Sequence, residues 1–169
     1  MVARNAGLHC RSDQWRNNGL RRKIHIGVDE QTLEIRAIEI TNSSVGDAPM
    51  LPELLSQIPA DIEIGSVTAD GAYDTRKCHD TIADRGANAV IPPRKNAKPW
   101  KPSTAGAIAR NETLRAAKYL GRAIWRKWSR YHRRSRAETK MHCVKLLGRK
   151  HPVPTACLRS RRLGKRRRY

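Results

Sequence analysis

Between residues 20 and 91 the hydrophobic period changes repeatedly, and that switching limits the possible folds more than any other feature of the chain. Residues 23–29 alternate, with Ile24, Ile26 and Val28 on one side. Residues 33–40 hold a second β-rich run after a polar break, and together the two runs predict an antiparallel hairpin. Asp47, with Pro49 soon after, is the expected cap of a short helix through Leu51, Leu54, Leu55 and Ile58, which Pro59 closes. Residues 62–69 predict a strand that becomes more buried as it nears Asp70. Asp74 is the expected cap of a helix over residues 75–85 that ends at Gly86, and residues 87–91 add a short strand. Pro92, Pro93, Pro99 and Pro102 make the next stretch a loop. The proline-free residues 111–147 predict a long helix with a possible break at Gly121. Strands and helices interleave in the order β-β-α-β-α-β-α, so the fold class predicted is α/β.

Residues 1–20 are polar without a clear period, and nothing in them demands order. With 169 residues the chain suits one domain with appendages: a poorly defined segment 1–20, a domain over 21–148, and a basic tail over 149–169 expected to be disordered. The net charge of +20 is segregated. Residues 1–100 carry 13 basic and 13 acidic groups, whereas residues 101–169 carry 22 basic and 2 acidic ones. Such one-sided charge attracts a polyanion, because each neutralised phosphate releases condensed counterions; the plainer alternatives are a solvated helix face or a loose basic tail. No stretch approaches the ~18 apolar residues of a membrane span and no apolar signal core begins the chain, so a cytoplasmic protein with no membrane partner is expected. Cys10, Cys78, Cys143 and Cys157 lack metal-ligand spacing, and His132 and His142 near Cys143 have no second ligand pair beside them.

Within the basic part, Glu138 is the lone acid after Glu112. Tyr131, Arg134, Glu138 and Lys145 stand at offsets of three, seven and fourteen residues from the tyrosine, which on an α-helix is a stripe about 60° wide. A carboxylate flanked by two cations and a phenol suits a metal ion held against a phosphate backbone. The same residues have simpler readings. Tyr131 can pack with Trp125 and Trp128, and Arg134 can form an i,i+4 pair with Glu138 worth ~0.3–0.5 kcal/mol. Asp70 before Gly71 can be a turn, with Tyr73 a core aromatic.

The segment Ala-Asp-Gly-Ala-Tyr-Asp at 69–74, followed by tyrosine, arginine, glutamate and lysine at 131, 134, 138 and 145, resembles the DDE transposases of bacterial insertion sequences that carry a Tyr-Arg-Glu-Lys signature. The stretches RRKIHIGVD, VTADGAYDTRKCHD, IPPRKNAKPWK and ARNETLRAAKYLGRAIWRKWSRYHRRSRAETK are similar to the same family, and the resemblance covers roughly residues 21–148. It implies a ribonuclease-H-like α+β core whose mixed sheet brings two aspartates and a glutamate to one edge to hold two divalent cations, Mg²⁺ or Mn²⁺. Asp70 matches the second catalytic aspartate and Glu138 the catalytic glutamate, both as metal ligands. Arg134 and Lys145 match residues that approach the DNA backbone, and Tyr131 the tyrosine beside them. The implied partners are the terminal inverted repeats of a transposon and further transposase subunits, homo- or hetero-oligomeric, with the protein on the nucleoid when bound.

Two departures shape the expectation. The family's first aspartate lies in a segment resembling Val-Asp-Ser-Thr-Gly ahead of the hairpin, and none is present. Asp13 lacks an apolar strand to place it, and the surroundings of Asp29 match the hairpin turn. The tail HPVPTACLRSRRLGKRRRY replaces the family's helical continuation, in the manner of a frameshift or deletion junction. The expectation is therefore an incomplete ribonuclease-H-like core with a long basic C-terminal helix, truncated at its N-terminus, lacking its first strand and catalytically impaired. The alternatives are a non-catalytic DNA-binding module that inhibits an intact transposase, and a basic RNA-binding protein, against which the shortage of stacking aromatics weighs.

Overall fold

In the computed structural model, which describes residues 6–17 and 20–147, the hairpin forms where the alternation places it. β2 (Leu20–Asp29) pairs antiparallel with β3 (Ile35–Asn42), matching Ile24 with Ile40 and Ile26 with Ile38. There follow α1 (Met50–Ser56), β4 (Ile64–Thr68), a 3₁₀ turn (Gly71–Tyr73), α2 (Arg76–Asp84) and β5 (Asn88–Val90). The basic part supplies α3 (Ala105–Leu120), α4 (Arg122–Trp128), a second 3₁₀ turn (Tyr131–Arg134) and α5 (Ser135–Leu147).

The expected absence of a first strand is corrected by β1 (Ala6–Asn17), which lies at the centre of a five-stranded mixed sheet of order β3-β2-β1-β4-β5. β1 pairs antiparallel with β2 and parallel with β4, and β4 pairs parallel with β5. Its side chains alternate between two environments. Leu8 and Cys10 join the larger apolar core with α1 and α2, while His9, Arg11 and Asp13 share the opposite face with Ile24, Ile26 and Val28. That second face is covered by α5 through Ala137, Met141 and Val144. β1 lacks the apolar run of a central strand because Arg11 and Asp13 find their partners on α5, while His9 lies 3.7 Å from Glu30, just after β2.

Several boundaries differ from expectation for definable reasons. Thr75, rather than Asp74, caps α2 by accepting from the Cys78 N–H. α1 has Pro49 at its N-cap with no side-chain cap, and Asp47 instead pairs with Lys23. The expected helix over 111–147 begins earlier, at Ala105, and besides the break foreseen at Gly121 it has a second one near Arg130. Gly121 separates α3 from α4 at φ 78°, and Arg130 adopts left-handed backbone at φ 58°. Where α3 crosses α2, a Cβ on Gly106 would stand 2.5 Å from the His79 carbonyl carbon, so only glycine permits that approach. Among the described residues no helix is long and apolar enough to cross a membrane. The expected tail over 149–169 lies outside the described residues.

Candidate functional site

Asp70 follows β4 directly, in extended backbone, and its Oδ1 accepts the Ala72 N–H at 2.8 Å. The turn reading of this residue is thus realised, yet Oδ2 remains directed at Arg134, whose Nη1 lies 3.7 Å away. Arg134 Nη2 donates to Glu138 Oε1 at 3.0 Å. One guanidinium therefore joins the two carboxylates that the motifs singled out, and Asp70 and Glu138 share one edge. The helical stripe itself is not continuous, since Tyr131 and Arg134 belong to the 3₁₀ turn and Glu138 and Lys145 to α5. Tyr131 packs against Trp125 with ring centroids 6.1 Å apart, and burial raises its hydroxyl pKa. The guanidinium carbons of Arg134 and Arg126 lie 5.4 and 5.8 Å from the Tyr131 centroid.

Arg11 is the residue that sequence reasoning missed. The parallel β1–β4 ladder ends at the pair His9–Thr68, and Arg11 and Asp70 each stand two residues beyond that pair. Its Nη1 donates to Glu138 Oε1 at 2.9 Å, while its Nε is buried without a hydrogen-bond partner. Two residues further along the same face Asp13 pairs with Lys145. The only available signal was the alternation of Leu8 and Cys10 with polar neighbours, and that is weak without knowledge of α5.

Neither candidate for the missing aspartate reaches the Asp70–Glu138 edge. Asp29 pairs with Leu8 in the ladder and so lies on the opposite face from Arg11. Its oxygens accept the Gln31 and Thr32 N–H groups at 2.8 and 3.0 Å and the Arg36 guanidinium at 3.3 Å. Burial acts to raise its carboxyl pKa, but the N–H groups and Arg36 outweigh it and hold the group below its usual value. Asp13 is engaged by Lys145.

A second acidic centre has a structural role. Asp74, buried and close in sequence to Asp70, accepts Arg110 Nε and Nη2 at 3.1 Å each, His79 Nε2 at 3.2 Å and the Arg94 N–H at 3.2 Å. Burial opposes ionisation there, but the bonds from His79, Arg110 and the Arg94 backbone hold the carboxyl well below the usual range. Trp100 packs beneath Arg110, 4.2 Å from its guanidinium carbon, and meets His79 edge-on. This assembly ties the proline-rich loop to α2 and α3.

The donor set at the Asp70 edge does not fit a pair of divalent cations. Two carboxylates share an arginine, a second arginine from β1 pairs with Glu138, and no group of three His, Cys, Asp or Glu suited to a metal occurs among the described residues.

The chain matches the family described as "Transposase DDE domain" over residues 8–152. Among solved structures it is similar to a chain of the simian T-cell lymphotropic virus intasome in complex with PP2A regulatory subunit B56 gamma, at 14% identity and a TM-score of 0.39, covering 69% of this chain and 41% of that chain. The family match takes in β1, the edge carrying Asp70, and all four signature residues of the basic part, and on that basis the chain belongs to the transposase DDE domain family.

Proposed function

We propose that this chain is an insertion-sequence transposase domain of ribonuclease-H-like design that binds transposon-end DNA without cutting it. The observation that carries the reading is the ion pair between Arg11 and Glu138. At the β1 position that, like Asp70, stands two residues beyond the last β1–β4 pair, where a third carboxylate would complete a cation site, the chain has a guanidinium that neutralises the glutamate. The sheet order with β1 at its centre supports the ribonuclease-H-like design, as does the meeting of Asp70 and Glu138 at one edge.

On this reading Asp70 and Glu138 occupy the catalytic positions of the ancestral site, and Tyr131, Arg134 and Lys145 orient the DNA end beside them. Mg²⁺ or Mn²⁺, when bound in such a site, activates the attacking oxygen and stabilises the leaving one, and both tasks need a shared carboxylate. In this chain Arg11 and Arg134 hold the two carboxylates instead. Binding without cleavage would occupy ends that an intact transposase needs, so inhibition of such an enzyme on the nucleoid, through shared ends or a mixed oligomer, follows from the same site.

The test uses DNA duplexes, including any inverted repeats found on either side of the gene. Affinity should fall steeply with salt, by roughly 0.9 in log K per decade for each phosphate contacted. End cleavage should be absent with either Mg²⁺ or Mn²⁺. Cleavage by the unmodified chain would overturn the impaired-site reading, and an affinity indifferent to salt would remove nucleic acid as the partner.

A further inference from the structure

The cations that the signature assigns to DNA are already compensated within the protein. Arg134 faces both Asp70 and Glu138, and Lys145 faces Asp13. Those cations can orient a DNA end, but uncompensated positive charge for a phosphate backbone lies elsewhere on the surface.

One cleft has the required character. Between the start of the proline-rich loop and the junction of α3 with α4 lies a small open hollow rimmed by Arg94, Lys95, Lys118, Arg122 and Arg126. Its floor is apolar, formed by Leu114, Ala117 and Trp125, and no carboxylate lines it. None of the five cations makes an ion pair with an acid among the described residues. Glu112, the one acid of α3, lines a separate hollow with Trp128.

The cleft is also continuous with the Asp70 edge. Arg94 Nε donates to the carbonyl of Gly71, the residue after Asp70, at 3.5 Å. Arg126 on the cleft rim and Arg134 at the edge both lie against Tyr131. Arg122 Nη2 donates to the Pro93 carbonyl at 3.3 Å, fixing the two walls of the cleft relative to each other. The result is a rigid, acid-free row of positive charge leading away from the edge.

We propose that this cleft is the principal phosphate-binding track of the chain, taking the sugar-phosphate backbone of DNA that runs past the Asp70 edge. Five uncompensated cations on two facing walls match the charge of a polyanion, and low-dielectric walls strengthen the attraction over that of isolated surface lysines. The inference rests on the DNA-binding reading above and adds where the affinity resides.

The experiment compares the full chain with Lys95→Gln/Lys118→Gln, two exposed lysines with no hydrogen bond or ion pair to the rest of the fold that the substitution would break. The control, Arg21→Gln/Lys77→Gln, removes the same charge from exposed sites on β2 and α2. Binding to the end duplex is measured by fluorescence anisotropy from 50 to 200 mM salt, with circular dichroism confirming that both variants are folded. The cleft variant should lose about 1.8 from the salt slope and roughly 50-fold in affinity near 0.1 M salt, while the control changes by less than about threefold. Equal losses in cleft and control variants would overturn the inference and leave DNA binding intact. No binding by the unmodified chain would instead remove the DNA reading itself.

Discussion

The two faces of the sheet are closed by different means. On the side of α1 and α2, Leu8, Cys10, Leu51, Leu54, Leu55, Val67, Tyr73 and Ile82 belong to one continuous apolar core. On the side of α5 the buried apolar residues are five, namely Ile24, Ile26, Val28, Ala137 and Met141, and the ion pairs of Arg11 with Glu138 and Asp13 with Lys145 complete the contact. Beyond α5 the sheet still shows Ile38 and Ile40, the latter 54% exposed. Apolar burial is insensitive to salt, whereas half-exposed ion pairs are screened by it. The candidate site therefore lies on the face whose closure responds more to conditions.

The strongest way to break this contrast lies in the Asp74 assembly behind the larger core. Replacing Asp74 with alanine strands the buried Arg110 guanidinium and should cost about 3–5 kcal/mol, read as a large fall in melting temperature. Because the folded Asp74 carboxyl lies below its unfolded value, its contribution is complete above about pH 4 and is lost as pH falls through the lower folded value. Asp74→Asn should flatten that acid limb. A variant as stable as the parent would show that the assembly holds nothing.

The next comparison sets Leu54→Ala against Met141→Ala. Each removes a buried side chain at about 2–5 kcal/mol, but the first should lower global stability while the second should chiefly release α5. Hydrogen exchange would show this as lost protection confined to residues 135–147 in the Met141 variant. Uniform loss across the sheet would mean that the two faces unfold as one unit.

The smallest effect is expected for Arg11→Ala, about 0.2–1 kcal/mol at low salt and less in 1 M salt, since both partners are partly exposed. A penalty that persists at high salt would show that the Arg11 stem, rather than its charge, holds α5.

Legibility followed the distance between partners. The hairpin, the α1–β4–α2–β5 succession and the break at Gly121 were readable because each rests on local period, glycine or proline. The presence of β1 was not, since Arg11 and Asp13 look unsuited to a central strand until Glu138 and Lys145 arrive from the far end of the chain. Asp74 likewise suggested a cap because its position before a helix is a local cue, whereas Arg110 is 36 residues away. The bend at Arg130 had no cue at all, being a non-glycine residue in left-handed backbone. At the site, the motifs located Asp70 and Glu138 on one edge, but the guanidiniums between them depend on the register of β1 and on the 3₁₀ turn.

The arginine that joins β1 to Glu138 alters how this edge can be held together. Three carboxylates meeting at a sheet edge repel one another until cations arrive, so such an edge is self-destabilising when empty and its order tracks the supply of divalent ions. With Arg11 in that position the counter-charge is covalently part of the chain and forms with the fold. Chelators should leave the melting temperature of this protein unchanged. On the proposed reading the arrangement also removes a switch, because an edge that does not need its ions would not be turned on by them.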